Sequence, residues 1–205
     1  MDIIDNMLKV IIFDADEVVI LGKRRFSATL AEKHGVSLEE TSPFFDGPFQ
    51  KCLVGEQDLK KSLLPYIKKW GWSKGVDELL DYWFALENFV DKDLIKYIKQ
   101  CRKKGFLCFL ATNNEKYRFQ YMLDVIGLKK VFDKTYASAH LGHMKPDQKF
   151  FAKIFKELKN IKKNEILFVD DTSVNVASAI DFGIHGEIYT TLANLKKRIS
   201  ILNKK

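Results

Sequence analysis

The segment Leu8-Lys9-Val10-Ile11-Ile12-Phe13-Asp14-Ala15-Asp16-Glu17-Val18-Val19 constrains the fold more than any other stretch of the chain. Val10 to Phe13 is short, apolar and mostly β-branched, the composition of a central strand covered on both faces. Two carboxylates, Asp14 and Asp16, follow it at once. A charge at the end of a buried strand is costly unless it has a partner or a task. In open parallel α/β sheets, ligands bind beyond the carboxyl ends of the strands. Asp14 and Asp16 sit where that rule places a site, and their spacing of two starts both side chains on one face of an extended chain, a geometry that a bend after Phe13 would make approximate.

Further strand-like runs cover residues 106–111, 135–137, 166–169 and, more weakly, 184–189. Helical patterns alternate with them. Residues 91–104 put Leu94, Ile95, Ile98 and Cys101 on one face, residues 115–126 stop at Gly127, and residues 147–158 are opened by Pro146. That alternation predicts a parallel sheet with helices on both sides. From about Leu21 to Phe89 the rhythm breaks and no strand signal is seen. Residues 26–34, 56–69 (broken or kinked at Pro65) and 76–86 read as helices, and Ser42-Pro43 and Gly47-Pro48 read as turns. The expected organisation is an α/β core from residues 1–20 and 89–205, with an all-helical insert over residues 21–88 lying as a lid over the sheet end.

The 205 residues, 46% apolar with 16 Phe, suffice for one sizeable domain plus such an insert. No run approaches the roughly 20 apolar residues of a membrane helix, and the acidic N-terminus lacks the basic region of a signal peptide. Cys52, Cys101 and Cys108 are irregularly spaced and read as reduced thiols. A cytoplasmic protein is expected. The net charge of +7 comes from lysines scattered along helix faces, without an aromatic-interleaved basic stripe, so no nucleic-acid partner is expected. Monomer and dimer remain equally open.

Three more polar clusters fall at predicted strand ends. Thr112-Asn113-Asn114 offers a hydroxyl, amides and a helix N-terminus to an anion. Lys145, before Pro146, brings a full positive charge. Asp170-Asp171, with Asn175 four positions beyond the pair, suits a hard cation and its surrounding hydrogen bonds. The order 14, 112, 145, 171 along one sheet edge suits phosphoryl transfer, because a carboxylate nucleophile meeting a phosphate dianion needs compensating positive charge. His140 and His143 are spaced for a metal but have no third ligand nearby in sequence. His143, close to Lys145, either reaches a substrate or lies at the surface. Trp70, Trp72, Trp83 and Phe44-Phe45 either line a pocket or pack the insert's core. Leu195, Ile199 and Leu202 form one face of a docking helix.

These motifs, over nearly the whole chain, resemble those of the haloacid dehalogenase (HAD) superfamily. Asp14-Ala15-Asp16-Glu17-Val18 is similar to its first motif, Thr112-Asn113 to its second, Lys145-Pro146 to its third, and Asp170-Asp171-Thr172-Ser173-Val174-Asn175 to its fourth. The pattern is nearest the small-molecule phosphatase branch with a C1-type helical cap. The resemblance implies a Rossmann-like three-layer fold with strand order 3-2-1-4-5 and a Mg²⁺-dependent phosphomonoesterase acting on a small phosphorylated metabolite. It implies that Asp14 is the nucleophile that becomes an aspartyl-phosphate. Asp16 is general acid and base, with its main-chain carbonyl on the metal. Thr112 and the Asn113 amide hold phosphate, Lys145 neutralises charge, and Asp171 ligates the metal. Asp170 and Asn175 then stand behind these groups. Glu17 departs from the family, where many members carry glycine. A dehalogenase would dispense with Asp16 and the metal. A phosphomutase would need a phosphosugar-mutase cap motif that residues 21–89 lack. A non-catalytic phosphate-ligand-binding protein would often have lost the nucleophile or the acid, and both stand here.

Overall fold

The computed structural model describes residues 7–22 and 25–203. Five strands, β1 (Val10–Phe13), β2 (Leu107–Thr112), β3 (Lys134–Ala137), β4 (Ile166–Asp170) and β5 (His185–Ile188), form one sheet in the order β3-β2-β1-β4-β5. Every pairing is parallel. Phe13, the last residue of β1, pairs with Leu110 and Val169. Residue 14 therefore lies level with Asp170, the end of β4, and with Ala111, one residue before the end of β2 at Thr112.

Alternation along β1 sorts its side chains between two layers. Ile11 and Phe13 pack with α6 (Lys92–Lys103), α7 (Lys116–Asp124) and α11 (Leu192–Leu202), through Leu94, Ile98, Met122, Leu195 and Ile199. Val10 and Ile12 face α9 (Gln148–Phe155) and α10 (Ser173–Phe182), meeting Phe150, Phe151, Ile154 and Ala179. The result is the three-layer Rossmann-like arrangement expected. The C-terminal helix docks through Leu195 and Ile199 as its pattern suggested. No described helix is long and apolar enough to cross a membrane, and the three cysteines are buried free thiols.

Between β1 and α6 lie α1 (Phe26–His34), α2 (Leu38–Phe45), α3 (Pro48–Leu53), α4 (Leu59–Lys69) and α5 (Val76–Leu86). They share a separate apolar cluster that includes Phe26, Leu30, Phe44, Leu59, Leu63, Leu79 and Trp83. The two chain passages joining this bundle to the sheet are tied together. Leu21 N–H donates to the Phe89 carbonyl at 2.7 Å, and Asp91 N–H to the Val19 carbonyl at 3.0 Å.

Two local expectations are corrected and a third is narrowed. Ser42-Pro43 is not a turn but lies inside α2. A capping box between Ser37 and Glu40 fixes the start of that helix, and the Ser42 hydroxyl donates at 3.5 Å to the Glu39 carbonyl, which Pro43 cannot serve. Of the break or kink expected at Pro65, the break is absent, because α4 runs through it to Lys69. Pro146 does not open α9. The Asp147 carboxylate accepts from Lys149 N–H at 2.9 Å and takes the cap, so the helix begins at Gln148.

Candidate active site

Lys145 is the hub. Its side chain is 1% exposed, and its ammonium lies 2.7 Å from Asp14 Oδ1, 2.7 Å from Asp170 Oδ2 and 3.2 Å from the Ala111 carbonyl. Its three N–H donors thus have three acceptors. Burial alone would lower the Lys145 pKa, but the two carboxylates outweigh it and the net shift is upward. Burial pushes the Asp14 carboxyl up to about 7, against the opposing pull of Lys145. Asp14 Oδ1 also accepts from Ala15 N–H at 2.7 Å.

Asp170 is fully buried and fully engaged. Oδ1 accepts from Thr172 N–H at 2.8 Å and from Asn175 Nδ2 at 3.1 Å, while Oδ2 takes Lys145 and, at 3.2 Å, the same Asn175 amide. Asp171 is exposed, and its carboxyl is raised by partial burial and by Asp170. Asp14, Asp170 and Asp171 each offer a carboxylate oxygen within 4.8 Å of the others, the one such group of three His, Cys, Asp or Glu among the described residues. Hard oxygen donors without a thiol or imidazole fit a hard divalent cation such as Mg²⁺.

Asp16 lies apart from this cluster. β1 ends at Phe13, and the chain turns after Ala15, whose carbonyl accepts from Val19 and Ile20 N–H groups, both at 2.8 Å. The chain thus bends after Phe13, as its sequence allowed, and a turn, not the pleat, sets the relation of Asp14 to Asp16. The Asp16 side chain is 48% exposed. Asn114 Nδ2 donates to its Oδ2 at 2.7 Å and to Thr112 Oγ1 at 2.7 Å. Arg118 Nη2 stands 3.8 Å from Asp16 Oδ1. The same guanidinium donates to the Phe84 carbonyl at 3.1 Å and to the Glu87 carbonyl, so it ties Asp16 to the end of α5.

Sequence reasoning gave Asn114 no role of its own and missed Arg118. Asn114 completes a Thr-Asn-Asn run and was within reach of motif reading; Arg118, on α7, carried no local signal. Asn113 also differs in detail. Its side-chain amide brackets the main chain of Lys145, donating to the carbonyl at 2.9 Å and accepting from the N–H at 2.8 Å. His143 pairs with Asp147 at 3.1 Å and His140 packs against Phe119, so the two imidazoles serve separate surroundings.

A cavity of about 500 Å³ opens from Asp16 and Glu17 towards Phe26, Phe45, Phe49 and Trp83. A smaller one of about 210 Å³, with Asn113, Asn114 and Arg118 in its wall, shares Asp16, Phe49, Trp83 and Glu87 with it. Of the aromatic residues in question, Phe44 and Trp70 are core, whereas Phe45 and Trp83 border the larger cavity.

The family model for haloacid dehalogenase-like hydrolases matches residues 8–183. The chain belongs to that family. Among solved structures, the fold is similar to that of a predicted HAD-like family hydrolase from Porphyromonas gingivalis. The TM-score is 0.80 at 24% identity, over 97% of this chain and 99% of that one. It is also similar to a HAD family enzyme from Bacteroides thetaiotaomicron in complex with magnesium and inorganic phosphate, with TM-score 0.77, 18% identity, and 92% and 98% of the two chains covered. The L-2-haloacid dehalogenase of Xanthobacter autotrophicus, with chloropropionic acid covalently bound, aligns with TM-score 0.64 at 16% identity over 95% and 83%. The curated drimenol cyclase drtB of Aspergillus calidoustus is 26% identical over 109 residues, which is 53% of this chain but 20% of that protein. The HAD-like chain thus spans a small part of that relative.

Proposed function

We propose that this HAD-like hydrolase is a Mg²⁺-dependent phosphomonoesterase of the small-molecule phosphatase branch, with residues 21–88 as a C1-type cap over a core of residues 1–20 and 89–205. The observation that carries the reading is the meeting of Asp14, Lys145 and Asp171 at one sheet edge; Asp16, two residues beyond Asp14, is held by Asn114. The magnesium and phosphate bound by the Bacteroides thetaiotaomicron enzyme support the same chemistry. Buried free thiols accord with a cytoplasmic setting.

In this mechanism Asp14 attacks phosphorus and the bond from phosphorus to the leaving oxygen breaks. Asp16 donates a proton to that oxygen, then takes one from the water that attacks the aspartyl-phosphate, and inorganic phosphate leaves with Asp14 restored. Lys145 holds Asp14 in place and offsets charge on the phosphoryl oxygens. Thr112 Oγ1 and the Asn113 peptide N–H bind those oxygens. Asp14, Asp171 and the Asp16 carbonyl would hold Mg²⁺, which supplies positive charge against the repulsion between carboxylate and phosphate dianion. Asp170 and Asn175 act through Lys145. Dehalogenation finds no use for Asp16 or for the acidic cluster.

The test is release of inorganic phosphate from a panel of small phosphorylated metabolites, with Mg²⁺ and with a chelator. Metal-dependent release is expected for some members. A folded protein inactive on the whole panel with Mg²⁺ supplied would leave a phosphate-ligand-binding role in its place, and transfer of phosphate to a second substrate hydroxyl would indicate a mutase.

A further inference from the structure

We propose that the cavity beside Asp16 seats the leaving alcohol, and that it selects a flat, apolar, ring-sized group over a short aliphatic one. The inference rests on the phosphatase reading, because that reading makes Asp16 the proton donor to the leaving oxygen. Whatever is bonded to that oxygen must then extend from Asp16, and the cavity of about 500 Å³ begins there. That volume lies within the range of small-molecule sites. A group of two or three carbons would leave most of it to water, at roughly 30 Å³ per molecule.

One wall of the cavity is aromatic and already assembled. Phe26 stacks on Trp83 with centroids 4.7 Å apart and planes 13° apart. Phe45 meets Trp83 edge-on at 5.5 Å, and Phe49 lies tilted against it at 5.5 Å. One carboxylate ties this pair together: Glu87 accepts from the Trp83 ring Nε1–H at 3.0 Å and from the Phe26 main-chain N–H at 2.8 Å. Phe45 and Phe49 are only half-buried, although their neighbour Phe44 is wholly enclosed in the bundle core. Leaving aromatic surface wet costs free energy that a flat apolar ligand recovers on binding. Because the rings hold one another, little ordering is lost when such a ligand arrives.

The experiment compares benzyl phosphate with ethyl phosphate, in Mg²⁺, on the intact protein. Both release primary alcohols of similar acidity, whereas phenyl esters would react faster for chemical reasons alone. The expected kcat/KM is at least about 10-fold higher for benzyl phosphate, mainly through KM. Phe45→Ala should bring the ratio of the two kcat/KM values close to one, with Phe45→Leu, which keeps bulk but no ring, in between. A wild-type ratio near or below one, with both esters hydrolysed, overturns the cavity assignment and leaves the phosphatase reading standing. If neither ester nor any other monophosphate is hydrolysed, both fall together. The wild-type ratio decides the question even if the Phe45 variants fail to fold.

Discussion

Asp14 and Asp16 stand two residues apart in the chain but in two different kinds of surroundings. Around Asp14 the sheet does the positioning. β1 ends within two residues of the ends of its neighbours β2 and β4, and Lys145 joins Asp14 to Asp170 in a dry cluster whose ammonium has all its partners. Around Asp16 a turn exposes the carboxylate, and side chains from elsewhere hold it: Asn114 on one oxygen, Arg118 beside the other. Arg118 in turn grips main-chain carbonyls at the end of α5. The first region is set by backbone topology, so its chemistry is rigid. The second is set by contacts with the helical insert, so it is the part of the site that an occupant of the cavity can influence.

The contrast is sharpest under mutation. Asp14→Asn should lower turnover by at least about 10³-fold, while near pH 4, where Asp14 keeps its proton in the fold, the melting transition stays near that of the wild type. Near-wild-type rates would remove Asp14 from the chemistry. Lys145→Met should act on the fold as well as the rate. It leaves Asp14 and Asp170 buried together without a counter-charge, a loss of about 3–5 kcal/mol. Urea denaturation measures it, and a loss below about 1 kcal/mol would contradict the hub role. The same region dictates a pH dependence. The folded-state pKa of Asp14 is raised from 3.8 to about 7, chiefly by burial. The native state therefore holds a proton that the unfolded chain has released, and stability falls as pH rises from about 4 to about 7. The expected span is on the order of 2–4 kcal/mol in metal-free protein. Asp14→Asn should flatten that slope in thermal melts, and Mg²⁺ should reduce it; an unchanged slope in the variant would assign it elsewhere.

Most of the sheet was legible because strands covered on both faces are written as short apolar runs, as Val10–Phe13 and Ile166–Val169 are. The helical insert was legible from the absence of such runs and the presence of helical spacing. Pro43 was misread because proline is tolerated inside a helix that its neighbours hold, and here the Ser37–Glu40 capping box fixes the start while Ser42 serves the carbonyl that Pro43 abandons. At the site, the residues that end strands could be named in advance. Asn114 and Arg118 could not be placed, because each acts on Asp16 across 98 or more positions of chain, and no local pattern encodes such a meeting. A bend after Phe13 was within reach of the sequence, because apolar β-branched residues stop there; the groups that hold Asp16 beyond it were not.

Asn114→Ala probes the second region directly. It removes both bonds that fix Asp16 relative to Thr112. The expected effect is a fall in kcat of about 10- to 100-fold, together with a shifted limb of the pH–rate profile and an unchanged Mg²⁺ titration. A uniform loss of folded protein, without a change in pH profile, would make Asn114 merely structural.

The smallest effect concerns Glu17, the departure from the family's glycine. Its φ is 59°, a left-handed conformation that costs a residue with a side chain about 1–2 kcal/mol. Glu17→Gly relieves that strain but adds unfolded-chain entropy worth about 0.4–1 kcal/mol, so the net should be a stabilisation of about 0.5–1 kcal/mol. The Glu17 carboxylate also lies against Gly22, where an added Cβ would come within 2.3 Å of Oε1. Gly22→Ala should therefore destabilise the wild type more than it destabilises the Glu17→Gly background. A double-mutant cycle in urea measures the difference; equal costs in the two backgrounds would mean that Glu17 swings clear of Gly22 without penalty.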